Sequence, residues 1–286
     1  MWVHAIVDRV CLDLGLRERA VFLPPDFNGN LRSYVEKEQP QFLLYGNADF
    51  EHVRTLELSR LCGLHYVRDP RDIIVSGYFS HRNTHSTEKW QSLLDYREKL
   101  QTVSKDEGLH LELAFAETRM QELRGWRDCP PEVRIEHRKI EELTASPYKT
   151  MLEIFSRMGL VDEDHYSPSK RVRFLVSKMA TRLRAATGLS LPGTVAQLPA
   201  ERMLGILHEC DFKQRTKGRK QGQEDRGSHF RKGVHGDWLN HFTLEHLAEF
   251  KQRYEDLLFQ LGYESEPDWE RQYIPLIEQR AQALEA

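Results

Sequence analysis

The stretch Val67-Arg68-Asp69-Pro70-Arg71-Asp72-Ile73-Ile74-Val75-Ser76-Gly77-Tyr78 decides the architecture, because its hydrophobic period changes in the middle. Upstream, Leu64-His65-Tyr66-Val67 is the short apolar run of a buried strand; downstream, apolar residues recur at helical spacing. Pro70 pre-sets the turn between them, which predicts a helix opening near Asp72 and running over 71–83. Arg68 then stands at the carboxyl edge of a sheet, where open α/β folds bind their ligands. Ser76 follows eight residues later, inside the first turns of the helix. An arginine fork and a hydroxyl near a helix N-terminus can together hold a phosphate through charge-assisted bonds and the positive end of the dipole. The competing reading pairs Arg68 with Asp72 and leaves Ser76 to cap or pack.

The same alternation extends outward. Gln41-Phe-Leu-Leu-Tyr45, ended by Gly46-Asn47, reads as a second strand, and Val133-Arg-Ile135 after Pro130-Pro131 as a third. Helical patterns cover 88–124 with an interruption, 147–158, 168–186, 196–209 and 243–261. The chain also opens on helical spacing, at Trp2, Ile6, Val7, Val10 and Leu14, with no capping residue in front. Short strands between helices predict one α/β domain over residues 1–286, a parallel sheet with helices on both faces.

Composition narrows the function classes. The 286 residues carry 41 basic and 44 acidic side chains, a net charge of −3, with 40% apolar residues. This is a soluble globular profile without a membrane span, and it excludes a globally basic nucleic-acid binder. The first apolar run, Ala5-Ile6-Val7, is broken by Asp8 and Arg9, so no signal peptide is expected and the protein is placed in the cytoplasm. Cys11, Cys62, Cys129 and Cys210, with no CxxC pair, fit reduced thiols. His81 and His85, four residues apart on a predicted helix, lack a visible third ligand, and no metal is expected.

Residues 213–232 depart from the average: eight Lys and Arg face only Glu224 and Asp225, and five glycines punctuate 218–236. A cationic, Gly-rich loop suits an anion such as a nucleotide phosphate, although a charge run alone also fits a solvated loop. Its end, Phe230-Arg231-Lys232-Gly233-Val234-His235-Gly236-Asp237-Trp238, sets two cations before two glycines that let backbone amides approach an anion.

These two strings together resemble the cytosolic-type sulfotransferases, which move a sulfuryl group from 3′-phosphoadenosine 5′-phosphosulfate (PAPS) to an alcohol, phenol or amine. The resemblance runs nearly the whole chain in matching order. It implies a P-loop-NTPase-like fold, with Arg68, Ser76, Arg231, Lys232 and Gly233 binding the donor's 3′-phosphate. Leu239 stands where the family's RKGxxGDWK pattern ends in Lys. Cys210-Asp-Phe-Lys213 is similar to the family's Thr-Ser-Phe-Lys, which implies adenine stacking on Phe212; a core phenylalanine is the alternative. Ile140-Glu-Glu-Leu143 resembles its Tyr-Glu-Asp-Leu turn, with Ile140 in place of the adenine-contacting tyrosine.

The family's donor site opens with a strand and a phosphosulfate loop, Tyr-Pro-Lys-Ser-Gly-Thr-Thr-Trp. Trp2 aligns with the last Trp of that string, and its Lys, Ser and Gly are absent. The first strand and the loop are therefore expected to be missing, with Met1 an internal methionine of a longer product. The family's general base, a His about twenty-two residues before the phosphate-binding Arg, falls at Gly46. Asp49, Glu51 and His52 are the nearby candidates, each with a plain surface role as its alternative.

The resemblance thus implies a PAPS-dependent sulfotransferase acting on a small-molecule hydroxyl or amine acceptor, weak or inactive as numbered. One alternative is a non-catalytic descendant that binds a 3′-phosphoadenosine nucleotide or a protein partner. Another takes 213–232 as a nucleic-acid-binding loop, against which the charge of −3 and the loop's lack of interleaved aromatics argue. Acceptor-lining loops are expected at 22–34, 77–90 and 165–200. A homodimer is open to the chain, with Trp269–Leu284 a candidate packing arm.

Overall fold

The computed structural model describes residues 2–88, 90–162, 169, 172, 174–177, 179–180, 183, 197–216, 218–220, 222–225 and 231–285. Most of the helix expected over 168–186, most of the loop 165–200, and Lys217, Arg226, Gly227 and Phe230 lie outside the described residues. The chain divides into two compact units. One comprises Met1–Tyr66 and Cys129–Arg219, the other Val67–Asp128 and Lys220–Ala286.

In the first unit the opening helix, Trp2–Leu14, buries Val3, Ile6, Val7, Val10, Cys11 and Leu14. That stripe packs with Met151, Ile154 and Phe155 of the Pro147–Arg157 helix and Met203, Ile206 and Leu207 of the Ala200–Glu209 helix. Burial, with the charges of Glu18 and Asp8, pushes the Cys11 thiol up to about 12, so it packs as a protonated apolar group. All four cysteines are free thiols.

The runs around Phe42–Tyr45, Cys62–Val67 and Arg134–Lys139 are strands, as the sequence reading expects. Phe42–Tyr45 pairs in parallel with Glu18–Val21, Val21 lying opposite Tyr45. The latter strand escapes periodicity because its four residues begin with two charged ones. Cys62–Val67 neighbours Arg134–Lys139, and Val161–Asp162 runs parallel to Leu198–Pro199. Among the described residues these make three two-stranded sheets, where the sequence suggests one continuous sheet. The strands are short, and all four residues of Phe42–Tyr45 are half-buried.

In the second unit the Pro70–Phe79 helix starts two residues before the expected place. Asp69 is its cap, accepting from the Arg71 amide at 2.9 Å, and Pro70 is its first residue. The helix buries Ile74, Val75, Tyr78 and Phe79 against Leu109 and Leu113 of Lys105–Phe115 and Leu247, Phe250 and Tyr254 of Leu244–Gln260. It runs into a π-helical turn, Ser80–Thr84, where sequence periodicity continues to 83. The pattern over 88–124 resolves into Ser92–Thr102, Lys105–Phe115 and Glu117–Gly125. Trp269 and Ile277 of the C-terminal segment are buried in this same core.

One close approach in this core has a measurable consequence. A Cβ on Gly108 would lie 2.5 Å from Cε2 of the buried Tyr78 ring. Alanine would normally gain about 1 kcal/mol inside a helix, but overpacking costs about 1–3 kcal/mol. Gly108→Ala is expected to destabilise the protein by about 1 kcal/mol, read as a lower urea midpoint; an unchanged or raised midpoint would show that Tyr78 yields freely.

Candidate functional site

The candidate site belongs to the second unit, where Arg68 and the start of the Pro70–Phe79 helix meet the loop 231–238. Asp72, buried in the first turn, accepts hydrogen bonds from the amides of Gly236 at 2.7 Å and Trp238 at 2.9 Å. Trp238 is buried in the core, as an anchor should be, and the Arg71 guanidinium lies 4.4 Å from its ring. Gly233 and Gly236 have φ of 69° and 70°, the left-handed region that the turn requires and glycine supplies without strain.

Three of the expected phosphate ligands converge on this loop. Arg68 Nη2 lies 3.5 Å from the Val234 carbonyl and 3.8 Å from Asp72 Oδ2, a long contact pair with the side chain one-third exposed. Arg231 donates to Glu224 Oε1 at 2.5 Å and to Asp237 Oδ2, and its guanidinium lies 4.4 Å from the Phe79 ring centroid. Lys232 Nζ donates to Asp237 Oδ1 at 2.5 Å. Ser76 lies in the second turn of the helix, half-buried. The pairing of Arg68 with Asp72 anticipated from the sequence is thus present, yet it is too long to saturate the guanidinium.

Of the two counter-ions, Asp72 is the partner that the sequence reading offers for Arg68, whereas Asp237 has no role in that reading. Asp237 is 1% exposed and also receives Asn240 Nδ2 at 2.9 Å and His241 Nε2 at 3.3 Å. Burial alone would raise its carboxyl, but hydrogen bonds from His241, Lys232, Arg231 and Asn240 outweigh this and hold it well below the usual carboxylate range. Asp72 shows the opposite balance: burial raises it, and Arg68 and the two amides only partly offset that. The available signal was spacing, an Asp four residues after Arg68 and another five after Lys232. The cluster therefore holds cations in fixed positions against carboxylates, an arrangement that can exchange a carboxylate contact for a phosphate.

The base candidates lie in the first unit. Asp49 caps the short helix Phe50–Val53, accepting from the Glu51 amide at 3.0 Å. Glu51 is exposed and pairs with Arg54 at 3.0 Å. His52 Nδ1 is 2.8 Å from the Tyr45 hydroxyl, and its ring packs edge-on to Phe27. A Cβ on Gly46 would fall 2.5 Å from Cδ1 of Phe22, so a histidine there would require that ring to move. Phe212, also in this unit, opens the Phe212–Arg215 helix, with the Arg219 guanidinium 5.4 Å from its ring. In the second unit His81 Nδ1 lies 2.9 Å from Oε1 of buried Glu112, among the rings of His85, Trp90, Tyr96 and Phe115.

No protein-family model and no curated protein matches the chain. By structure, the fold is similar to that of a sulfotransferase. The crystal structure of mouse sulfotransferase SULT7A1 complexed with PAP superposes with a TM-score of 0.50 at 16% identity, covering 99% of this chain and 84% of that one. At such identity the likeness is one of fold. Among the described residues no helix is long and apolar enough to cross a membrane.

Proposed function

We propose that the protein binds a 3′-phosphoadenosine nucleotide, with Arg68, Ser76, Arg231, Lys232 and Gly233 around the 3′-phosphate, and works as a PAPS-dependent sulfotransferase on a hydroxyl or amine acceptor. The observation that carries the reading is the convergence of Arg68, Arg231 and Lys232 on one glycine-bent loop fastened by Asp72. In the transfer, the acceptor oxygen or nitrogen attacks sulfur and loses its proton to a base. The bond from sulfur to the 5′-phosphate oxygen breaks, and adenosine 3′,5′-bisphosphate leaves with that electron pair. His52 is the first base to test, because its imidazole is already oriented by Tyr45.

A second reading, nucleotide binding without transfer, draws support from Gly46, where Phe22 occupies the space a base would need. Calorimetry with adenosine 3′,5′-bisphosphate and with adenosine 5′-monophosphate tests the shared part. The bisphosphate should bind far more tightly, and equal affinities would overturn the 3′-phosphate assignment. A sulfuryl-transfer assay with PAPS and a phenol or amine on the same sample separates the two readings.

A further inference from the structure

Outside the nucleotide cluster, one group of side chains in the first unit has the spacing of a metal site. His4 Nε2 lies 3.2 Å from Asp8 Oδ1 and 3.6 Å from Glu18 Oε1. The three ligand atoms all fall within 4.8 Å of one another. Around an ion about 2.0–2.2 Å from each donor, tetrahedral geometry sets neighbouring donors about 3.4 Å apart. The two imidazole–carboxylate separations fall on either side of that spacing, and the two carboxylates also lie within 4.8 Å of each other.

We propose that His4, Asp8 and Glu18 bind one divalent transition-metal ion of the Zn2+ type through an imidazole nitrogen and two carboxylate oxygens. The backbone that carries them is fixed. His4 and Asp8 are one turn apart on Trp2–Leu14, whose Val3, Ile6, Val7 and Val10 are locked in the core. Glu18 begins a strand and is held opposite Phe42 by parallel pairing. The His4 ring also packs on Phe22, centroids 5.9 Å apart, which restrains its orientation. Side-chain exposure rises from 17% at Glu18 through 28% at His4 to 52% at Asp8, so an ion can enter from the Asp8 side and keep a water as its fourth ligand. One nitrogen and two oxygen donors suit Zn2+ or Mn2+ and disfavour a soft ion such as Cu(I).

The test uses the full chain without an affinity tag, stripped of metal by a chelator and dialysed. Titration with Zn2+ in a calorimeter should show one equivalent bound, and Co2+ should give the visible absorption of a low-symmetry site. His4→Ala and Glu18→Gln should each weaken Zn2+ binding on the order of tenfold or more. His208→Ala, at an exposed histidine elsewhere, should leave it unchanged. At one Zn2+ concentration the melting temperature should rise for the parent protein and for His208→Ala, and by clearly less for the other two variants. Melting without metal checks that each variant folds. Absence of stoichiometric binding, or binding that both ligand substitutions leave intact, would overturn the assignment.

Discussion

Asp237→Ala is expected to lower the unfolding free energy by about 3 kcal/mol. The carboxylate is the common acceptor for Arg231, Lys232, Asn240 and His241. Its removal leaves two cations side by side and several donors facing an apolar methyl group. The figure sits at the low end of the range for broken buried ion pairs, because Arg231 and Lys232 keep 12% and 24% exposure and so some access to water. Urea denaturation at neutral pH measures the loss, and a change well below 1 kcal/mol would show that water replaces the carboxylate.

The same residue predicts an acid response. Because the folded-state carboxyl is held low, its stabilisation is complete above the unfolded carboxylate value of about 3.9 and is lost as pH falls below it. Asp72 acts in the opposite sense, since its raised carboxyl takes up a proton earlier in the folded state than in the unfolded one. The parent protein shows the difference between the two. Asp237→Asn removes only the destabilising acid limb, so its stability should fall less steeply below about pH 4 than that of the parent. Identical slopes would show that Asp237 is not held low.

Arg231→Ala is expected to weaken adenosine 3′,5′-bisphosphate binding by about 1.5–3 kcal/mol, roughly ten- to more than a hundredfold. Arg68→Ala should do the same, and both should leave adenosine 5′-monophosphate binding nearly unchanged. The terminal nitrogens of Arg231 reach Glu224 and Asp237. A phosphate must therefore compete with a carboxylate, and Glu224, at 28% exposure, is the easier one to displace. Calorimetry reads the change, and a melting curve confirms that each variant is folded. Bisphosphate affinity unchanged in both variants would place the nucleotide elsewhere.

Much of the frame could be read from the sequence because its signals are local. Pro70 after a four-residue apolar run marks the strand-to-helix boundary to within two residues. The glycines at 233 and 236 announce a turn that only they adopt easily. The carboxylates were harder, since their function depends on what folding brings to them: Asp72 reads as a helix-opening acid, yet it holds a loop more than a hundred and sixty residues later. The three-donor cluster around His4 was invisible for a related reason. Its third donor lies beyond the end of the helix, on a strand too short and too charged to show a period.

The division of the chain also bears on how the protein comes to be folded. Residues 67–128 and 220–286 make one unit, and the whole of 129–219 is synthesised between them. The Pro70–Phe79 helix emerges from the ribosome with Ile74, Val75 and Tyr78 turned toward the Leu244–Gln260 helix, whose codons have not yet been read. Leu109 and Leu113 can cover part of its apolar face early, but the part that meets Leu247, Phe250 and Tyr254 must wait while the rest of the other unit is made. The long loop that finally closes favours slow folding, and a chaperone holding that face during synthesis would serve this chain more than one of the same size with local contacts.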